Sequence, residues 1–399
     1  MKSPNKRFTL VAASLLALVF SFPAARGQIS SDAELDRLRE AVQTKLNEFH
    51  STGEFPGATI GFVLADGRSA SVSVGFSDVE NKTPLRPTDK LQAGSIGKTF
   101  AAAAILQAVQ DGKLRLDDKI EKWLGGEPWF DRLPNSKDIT LRMLMNHSSG
   151  IPEHVLDKQF IDDLKKNPDR VWKPEEMLAY ILDRPPLFAA GKGWSYADTN
   201  YIVAGMIFER ATKKNLYDEV ARRILQPLKL DHTVPADKRV IAGLVNGYSS
   251  ADGPFGVGGK VIRDGKFFIN PQFEWTGGGF ASTPEDLARW AKAMYEGKAF
   301  DKQMLDEMLN GVDASGGRGA GGKYGLACQI RPSEWGESLG HSGFFPGYLS
   351  NMEYFPRHKI AVAVQVNTDD GRKLKRPFRQ FVFETLRIIL SETAMKKAA

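Results

Sequence analysis

Ser95-Ile96-Gly97-Lys98 pairs a nucleophile with a proton acceptor at a useful spacing. A serine hydroxyl attacks a carbonyl carbon only when a neighbouring group takes its proton. Positions i and i+3 share a helix face, so Lys98 stands beside Ser95 if a helix begins here. The positive end of that helix also favours the negative charge that develops on attack. The same stretch, "LQAGSIGKTF", lies one residue away from two other patterns. Gln92 stands at the first Gly of G-x-x-x-x-G-K-[ST], and Ala93 at the first Gly of G-x-S-x-G. Both patterns require a buried strand immediately ahead of the glycines. The preceding "VENKTPLRPTDK" is polar and broken by Pro84 and Pro87, so acyl transfer through Ser95 is the favoured chemistry.

Two further segments add to it. "GKGWSYADTNYIVAG" places Tyr196 in a turn ahead of a helix, and "LGHSGFFPG" places His341 on a strand between glycines. Glycine beside a strand residue lets a ligand approach the backbone closely. His341-Ser342-Gly343 is the only H-x-G among the six histidines. None of those histidines lies in H-E-x-x-H or a related spacing, so no metal or other cofactor is required.

The elements that must position these residues follow from periodicity. "SDAELDRLREAVQTKLNEFH" reads as a capped amphipathic helix, and "ATIGFVLADGRSASVSVGF" as a hairpin turning at Asp66-Gly67. "IGKTFAAAAILQAVQ" is apolar on nearly every side, which predicts a buried helix. Residues 115–235 are mostly helical in pattern, and 240–280 read as loops with short strands. "STPEDLARWAKAMYEG" is a helix with Ser282 as its expected cap. Strand-like runs then recur in "YGLACQI", "ESLGHSG", "YLSNMEYF" and "IAVAVQVN", with a final helix from about Pro377. Strands therefore sit at both ends and helices between them. The expected fold class is α/β (α+β): one antiparallel sheet built from both termini, flanked by helices, with an inserted helical region. In boundaries, 28–110 and 270–399 form the α/β part and 111–269 the mainly helical insert.

Residues 1–27 read as a removable leader. Lys2, Lys6 and Arg7 precede the uncharged run Leu10 to Phe22, followed by "AARG", an A-x-G cleavage pattern ending at Gly27. The expectation is export to the periplasm or the exterior, without a stable membrane anchor. Four of the 54 basic residues and none of the 48 acidic ones lie in this leader, so the remainder carries about +2. That balance gives no argument for nucleic acid. Cys328 is the only cysteine, which excludes an intrachain disulfide.

Ser95-x-x-Lys98, Tyr196 and His341-Ser342-Gly343, in that order, resemble the penicillin-recognising serine hydrolases. Within them the likeness is to the class C β-lactamase group, with its D-Ala-D-Ala carboxypeptidases, D-aminopeptidases and esterases. "LRMLMNHSSGIP", "GGGFASTPEDLARWAKAM" and "GHSGFFPGYLSNMEYFP" also look like family segments. The resemblance implies a β-lactamase/transpeptidase-like fold and an acyl-enzyme on Ser95, with Lys98 and Tyr196 sharing the proton transfers. It implies an oxyanion hole from the backbone N–H groups of Ser95 and Phe344. His341 and Gly343 would border the cleft, with His341 orienting the leaving group or a substrate carboxylate.

Two positions depart from the family pattern. Tyr196-Ala197-Asp198 stands where Tyr-x-Asn is usual, and an ionised Asp only accepts hydrogen bonds. Next to Lys98 it favours the ammonium, whereas at the helix start it would serve as a cap. His-Ser-Gly replaces Lys-Thr-Gly, which points toward the carboxypeptidase, aminopeptidase and esterase members rather than a specialised β-lactamase. The substrate is thus expected to be a small molecule or peptide, cell-wall fragments included. Loops 155–170 and 250–275 are expected to shape its choice. A non-catalytic binding or scaffold protein that keeps the fold is the alternative.

Overall fold

The computed structural model describes Met1, residues 24–315 and residues 322–398. The apolar run Leu10 to Phe22 lies outside the described residues, and so does most of the expected leader. In chain order, the elements that position the site are α1 (Ala24–Ser51), β1 (Gly57–Val63), β2 (Ser69–Asp78), α2 (Gly97–Gln110), α3 (Asp198–Thr212), α4 (Pro284–Tyr295), β3 (Gln329–Ser333), β4 (Gly336–Phe345), β5 (Tyr348–Phe355), β6 (Ile360–Val366) and α5 (Arg379–Ala398).

Among the described residues one antiparallel sheet holds nine strands. Their order is Val312–Asp313, Lys323–Tyr324, β3, β4, β5, β6, β1, β2 and Thr83–Pro84. The seam between β6 and β1, with Ala58 opposite Val366 and Val63 opposite Ala361, joins the two ends of the chain. This is the antiparallel sheet from both termini that the strand patterns predict, and it agrees with the β-lactamase/transpeptidase-like fold that the resemblance implies.

Side-chain size decides which helix lies on which face. Along β6, Val362, Val364 and Val366 pack with Leu38, Leu46 and Phe49 of α1 and with Phe381 and Leu386 of α5. The alternate residues Ala361 and Ala363 face the other layer, which includes Leu287, Trp290 and Met294 of α4. Successive strand residues point to opposite faces, so small residues leave room for α4 while valines fill the terminal-helix side. Every residue of β1 and β6 is buried, which fits a sheet covered on both faces.

Three local expectations change. The α4 cap is Thr283, whose side chain accepts from the Asp286 N–H, because Ser282 ends the short strand Phe280–Ser282. The first helix begins at Ala24, upstream of Ser31 and Asp32, where the sequence places its cap. "YGLACQI" is not one strand: Ala327 has φ 58°, which breaks the extended run between Tyr324 and Gln329. Among the described residues no helix is long and apolar enough to cross a membrane.

Candidate active site

A tight turn, Gly94–Ile96, carries Ser95 directly into the buried helix α2, with Lys98 at the helix start. The Lys98 ammonium is 0% exposed and donates to Ser95 Oγ at 3.0 Å. It also donates to Asp198 Oδ1 and to the Gly277 carbonyl. All three ammonium hydrogens thus have acceptors. Asp198 is the first residue of α3 and neither caps it nor points to solvent. Ala197 holds the cap position, and the Asp198 side chain is 14% exposed.

Charge follows from these contacts. Burial alone would lower the Lys98 pKa, but the Asp198 carboxylate, followed by Tyr196 and Glu274, outweighs it and raises the value above 10.5. Lys98 is therefore an ammonium at rest. Burial pushes the Asp198 carboxyl up and Glu153 adds to this, while Lys98 opposes both. Tyr196 lies beside Lys98, whose nitrogen is 4.9 Å from the ring centroid. Burial raises the Tyr196 phenol well above 10, so it too holds its proton at rest. Its buried hydroxyl has no hydrogen-bond partner.

His147 packs against the Tyr196 ring at 4.2 Å between centroids. Its Nδ1 accepts from the Ala197 N–H at 3.3 Å and contacts Asn200 Nδ2 at 3.1 Å. Burial holds its pKa well below 6.5, so it is a neutral prop for Tyr196.

His341, on β4, borders the site as expected, but both of its ring nitrogens are engaged. Nδ1 lies 2.6 Å from the Ser342 carbonyl and Nε2 lies 2.8 Å from the Tyr324 hydroxyl. A carbonyl only accepts, so Nδ1 carries the proton and Nε2 accepts from Tyr324. Burial pushes the His341 pKa down to about 3. A neutral ring with both nitrogens occupied has no free donor for a substrate carboxylate, which corrects that expected role.

Gly343 lets β4 lie against the turn that carries Ser95. A side chain there would collide with the Ala93 carbonyl and with Ser350 Oγ. Ser350 Oγ donates to that same carbonyl at 2.6 Å, tying β5 to the turn. The Phe344 backbone consequently packs on Gly94, while its side chain stands 38% exposed.

Ser95, Tyr196 and Phe344 line two cavities. One, of about 320 Å³, adds Gln329, His341, Ser342, Gly343 and Ser350. The other, of about 290 Å³, adds Glu153, Asp198 and Glu274 together with apolar walls. A nucleophile between two cavities has room on either side for the two halves of a cleaved bond.

A sequence model described as Beta-lactamase matches residues 38–385. The chain belongs to the β-lactamase family. It is thus one of the penicillin-recognising serine hydrolases. Penicillin-binding protein 4* of Bacillus subtilis is 23% identical over 319 residues, covering 76% of this chain and 66% of that relative. This β-lactamase-family chain therefore spans just under two thirds of that relative's length. Among solved structures it is similar to a D-stereospecific amidohydrolase from Streptomyces sp., with 26% identity and a TM-score of 0.69. That likeness covers 84% of this chain and 97% of the other. The D-amino acid amidase from Ochrobactrum anthropi SV3, complexed with D-phenylalanine, shares the fold at a TM-score of 0.77. It is 24% identical, with 89% and 99% of the chains covered.

The structure of this family member gathers Ser95, Lys98, Tyr196, Asp198, His341, Gly343 and Phe344 in one place. Sequence reasoning missed Glu153 and Glu274, which complete the acidic side. Each is a lone acid within a family-like or loop segment, with no partner at a telling spacing. The only signal was the glycine run Gly277–Gly279 just after Glu274.

Proposed function

We propose that this chain cleaves an amide, peptide, ester or lactam bond through an acyl-enzyme on Ser95. The observation that carries the reading is the Ser95 hydroxyl held at 3.0 Å by a wholly buried Lys98, at the junction of two cavities. In acylation, Ser95 Oγ bonds to the carbonyl carbon and the carbonyl π pair moves onto oxygen. The hydroxyl proton goes to Lys98 or Tyr196, whichever has lost its own, and passes on to the leaving nitrogen or oxygen as that bond breaks. Water then attacks the acyl-enzyme, its proton returning through the same pair to Ser95. Ser95 is the second residue of a helical turn, where an N–H has no intrahelical acceptor, and the Phe344 backbone adjoins the turn at Gly94. Those two N–H groups are the proposed oxyanion donors.

The His-Ser-Gly motif and the similarity to a named amidohydrolase support an amidase, peptidase or esterase over a specialised β-lactamase. Cell-wall-derived peptides are among the candidate substrates. A fluorophosphonate should give one covalent adduct, mapped to Ser95 by peptide mass spectrometry. An adduct elsewhere, or none, would favour the non-catalytic scaffold reading instead.

Export is part of the same proposal, on the basic, apolar and A-x-G layout of residues 1–27. Native protein isolated from cells should begin after Gly27. Amino-terminal sequencing that finds Met1 would contradict it.

A further inference from the structure

The cavity of about 290 Å³ beside Ser95 takes much of its apolar wall from two loop segments distant in the chain. Pro254 and Phe255 come from one and Pro346 from the other. Pro254 and Phe255 stand at the tip of a hairpin whose stem pairs Tyr248 with Lys260 and Ser249 with Gly259. That tip falls within the second loop that the sequence marks as shaping specificity. A stem this short does not hold a tip by itself. Pro346 and Gly347 form the loop between β4 and β5, closed by the Phe345–Tyr348 pair. Proline followed by a glycine at φ 86° is the signature of a type II turn. Such turns splay paired strands rather than follow their twist, so this one also needs support from outside.

One carboxylate meets both segments. Asp369, just past β6, accepts the Gly347 N–H at 2.8 Å and the Ser249 hydroxyl at 2.6 Å through Oδ2. Its Oδ1 accepts the Ser250 N–H at 2.7 Å. Bonds of this length to an ionised acceptor are the strong class. The backbone around Asp369 is itself tied to the stem. The Tyr248 N–H donates to the Asn367 carbonyl at 3.0 Å, and the Asp369 N–H donates to the Tyr248 carbonyl at 3.3 Å. Gly247 lets the two segments touch, since a Cβ there would stand 2.5 Å from the Gly347 carbonyl oxygen.

We infer that Asp369 is a positioning residue that fixes the wall formed by Pro254, Phe255 and Pro346, and so sets how tightly the cavity holds the half of the substrate that enters it. This rests on the Ser95 hydrolase reading and adds to it a specificity determinant remote from the reacting atoms. Asp369 itself lines neither cavity beside Ser95, so it acts through the backbone that it binds. With the clamp in place the wall is ordered before substrate arrives. Without it, binding has to order the wall, which raises KM and leaves the chemical step alone.

The test compares three esters on the whole protein. Phenyl acetate is the reference, phenyl phenylacetate enlarges the acyl half, and 1-naphthyl acetate enlarges the leaving half. Each bulky ester's kcat/KM is divided by that of phenyl acetate for the same variant, which cancels any uniform loss of active protein. In Asp369→Asn, either orientation of the amide turns its NH2 toward a backbone N–H, so at least one link is lost. One of the two ratios should fall at least about fivefold through KM, the scale of one or two lost hydrogen bonds, while the other stays within about twofold. Ser249→Ala removes the hydroxyl link alone and should lower the same ratio at least about threefold. Lys260→Met cuts the stem's ion pairs with Asp78 and Glu80 but spares the clamp, and should keep both ratios within about twofold. Both ratios unchanged in Asp369→Asn, both lowered alike, or an equal fall in Lys260→Met overturns this proposal and leaves the hydrolase reading standing. A wild type that hydrolyses none of the three esters overturns both. If Asp369→Asn does not fold, Ser249→Ala read against Lys260→Met decides.

Discussion

Lys98→Ala should lose at least about a hundredfold in ester turnover, the scale for removing a positioned acid or base. It should also fold less stably by about 3 kcal/mol, the scale for stripping one partner from a buried ion pair. Both effects come from the same ammonium. It touches Ser95 Oγ at 3.0 Å, and it is the cation against which Asp198 and Glu274 are buried. Their burial raises both carboxyl pKa values, so each takes up a proton more readily once Lys98 is gone, and this limits the loss of stability. Rate must therefore be read on protein shown to be folded by circular dichroism, and stability by denaturant midpoint at unchanged m. Small alkylamines added to Lys98→Ala should restore part of the rate, since the vacated volume is lined by the original acceptors. Full turnover in Lys98→Ala, or unchanged stability, would remove Lys98 from its assigned place.

The fold and the core of the site were legible because they rest on local signals. Alternating valines and alanines in "IAVAVQV" mark a strand, and the "AAAA" helix after Ser95 could only be buried. Ser95 and Lys98 were readable from an i, i+3 spacing, and Tyr196 and His341 from short motifs. What escaped depends on contacts distant in sequence. Glu153 joins the site because its carboxylate accepts the N–H of Asp198, 45 residues away. Glu274 joins because a strained turn and three glycines hold it there, and no spacing rule encodes a turn at Trp275. The expected role of His341 fell short for the same reason. The Ser342 carbonyl fixes its tautomer, and its remaining nitrogen is taken up by the hydroxyl of Tyr324, 17 residues earlier and two strands away in the sheet, a partner that the motif does not mention.

Asp198→Asn should shift the rising limb of kcat/KM to lower pH by about one unit or more, the scale for an opposite charge in contact. The sign follows from the pairing. Asp198 raises the Lys98 pKa, so the neutral amine that could accept the Ser95 proton becomes populated only at alkaline pH. Removing that negative charge lowers the Lys98 pKa and populates the amine earlier. The group is not isolated: Glu153, Glu274, Tyr196 and His154 also face this cluster. Glu274 in particular can take over part of the role, so Asp198→Asn combined with Glu274→Gln should shift the limb further than either alone. Stability carries the matching signature. A lysine whose folded pKa exceeds its unfolded value stabilises fully below about 10.5, and that contribution is lost as pH rises through the folded value. The variant should therefore show a smaller loss of stability across the alkaline range than the wild type. Asn keeps an acceptor for Lys98 and adds a donor that an amide carbonyl can use, so amide turnover should gain on ester turnover. A pH profile and an amide-to-ester ratio both unchanged in Asp198→Asn would mean that the ion pair does not control the proton on Lys98, and would leave Tyr196 as the base.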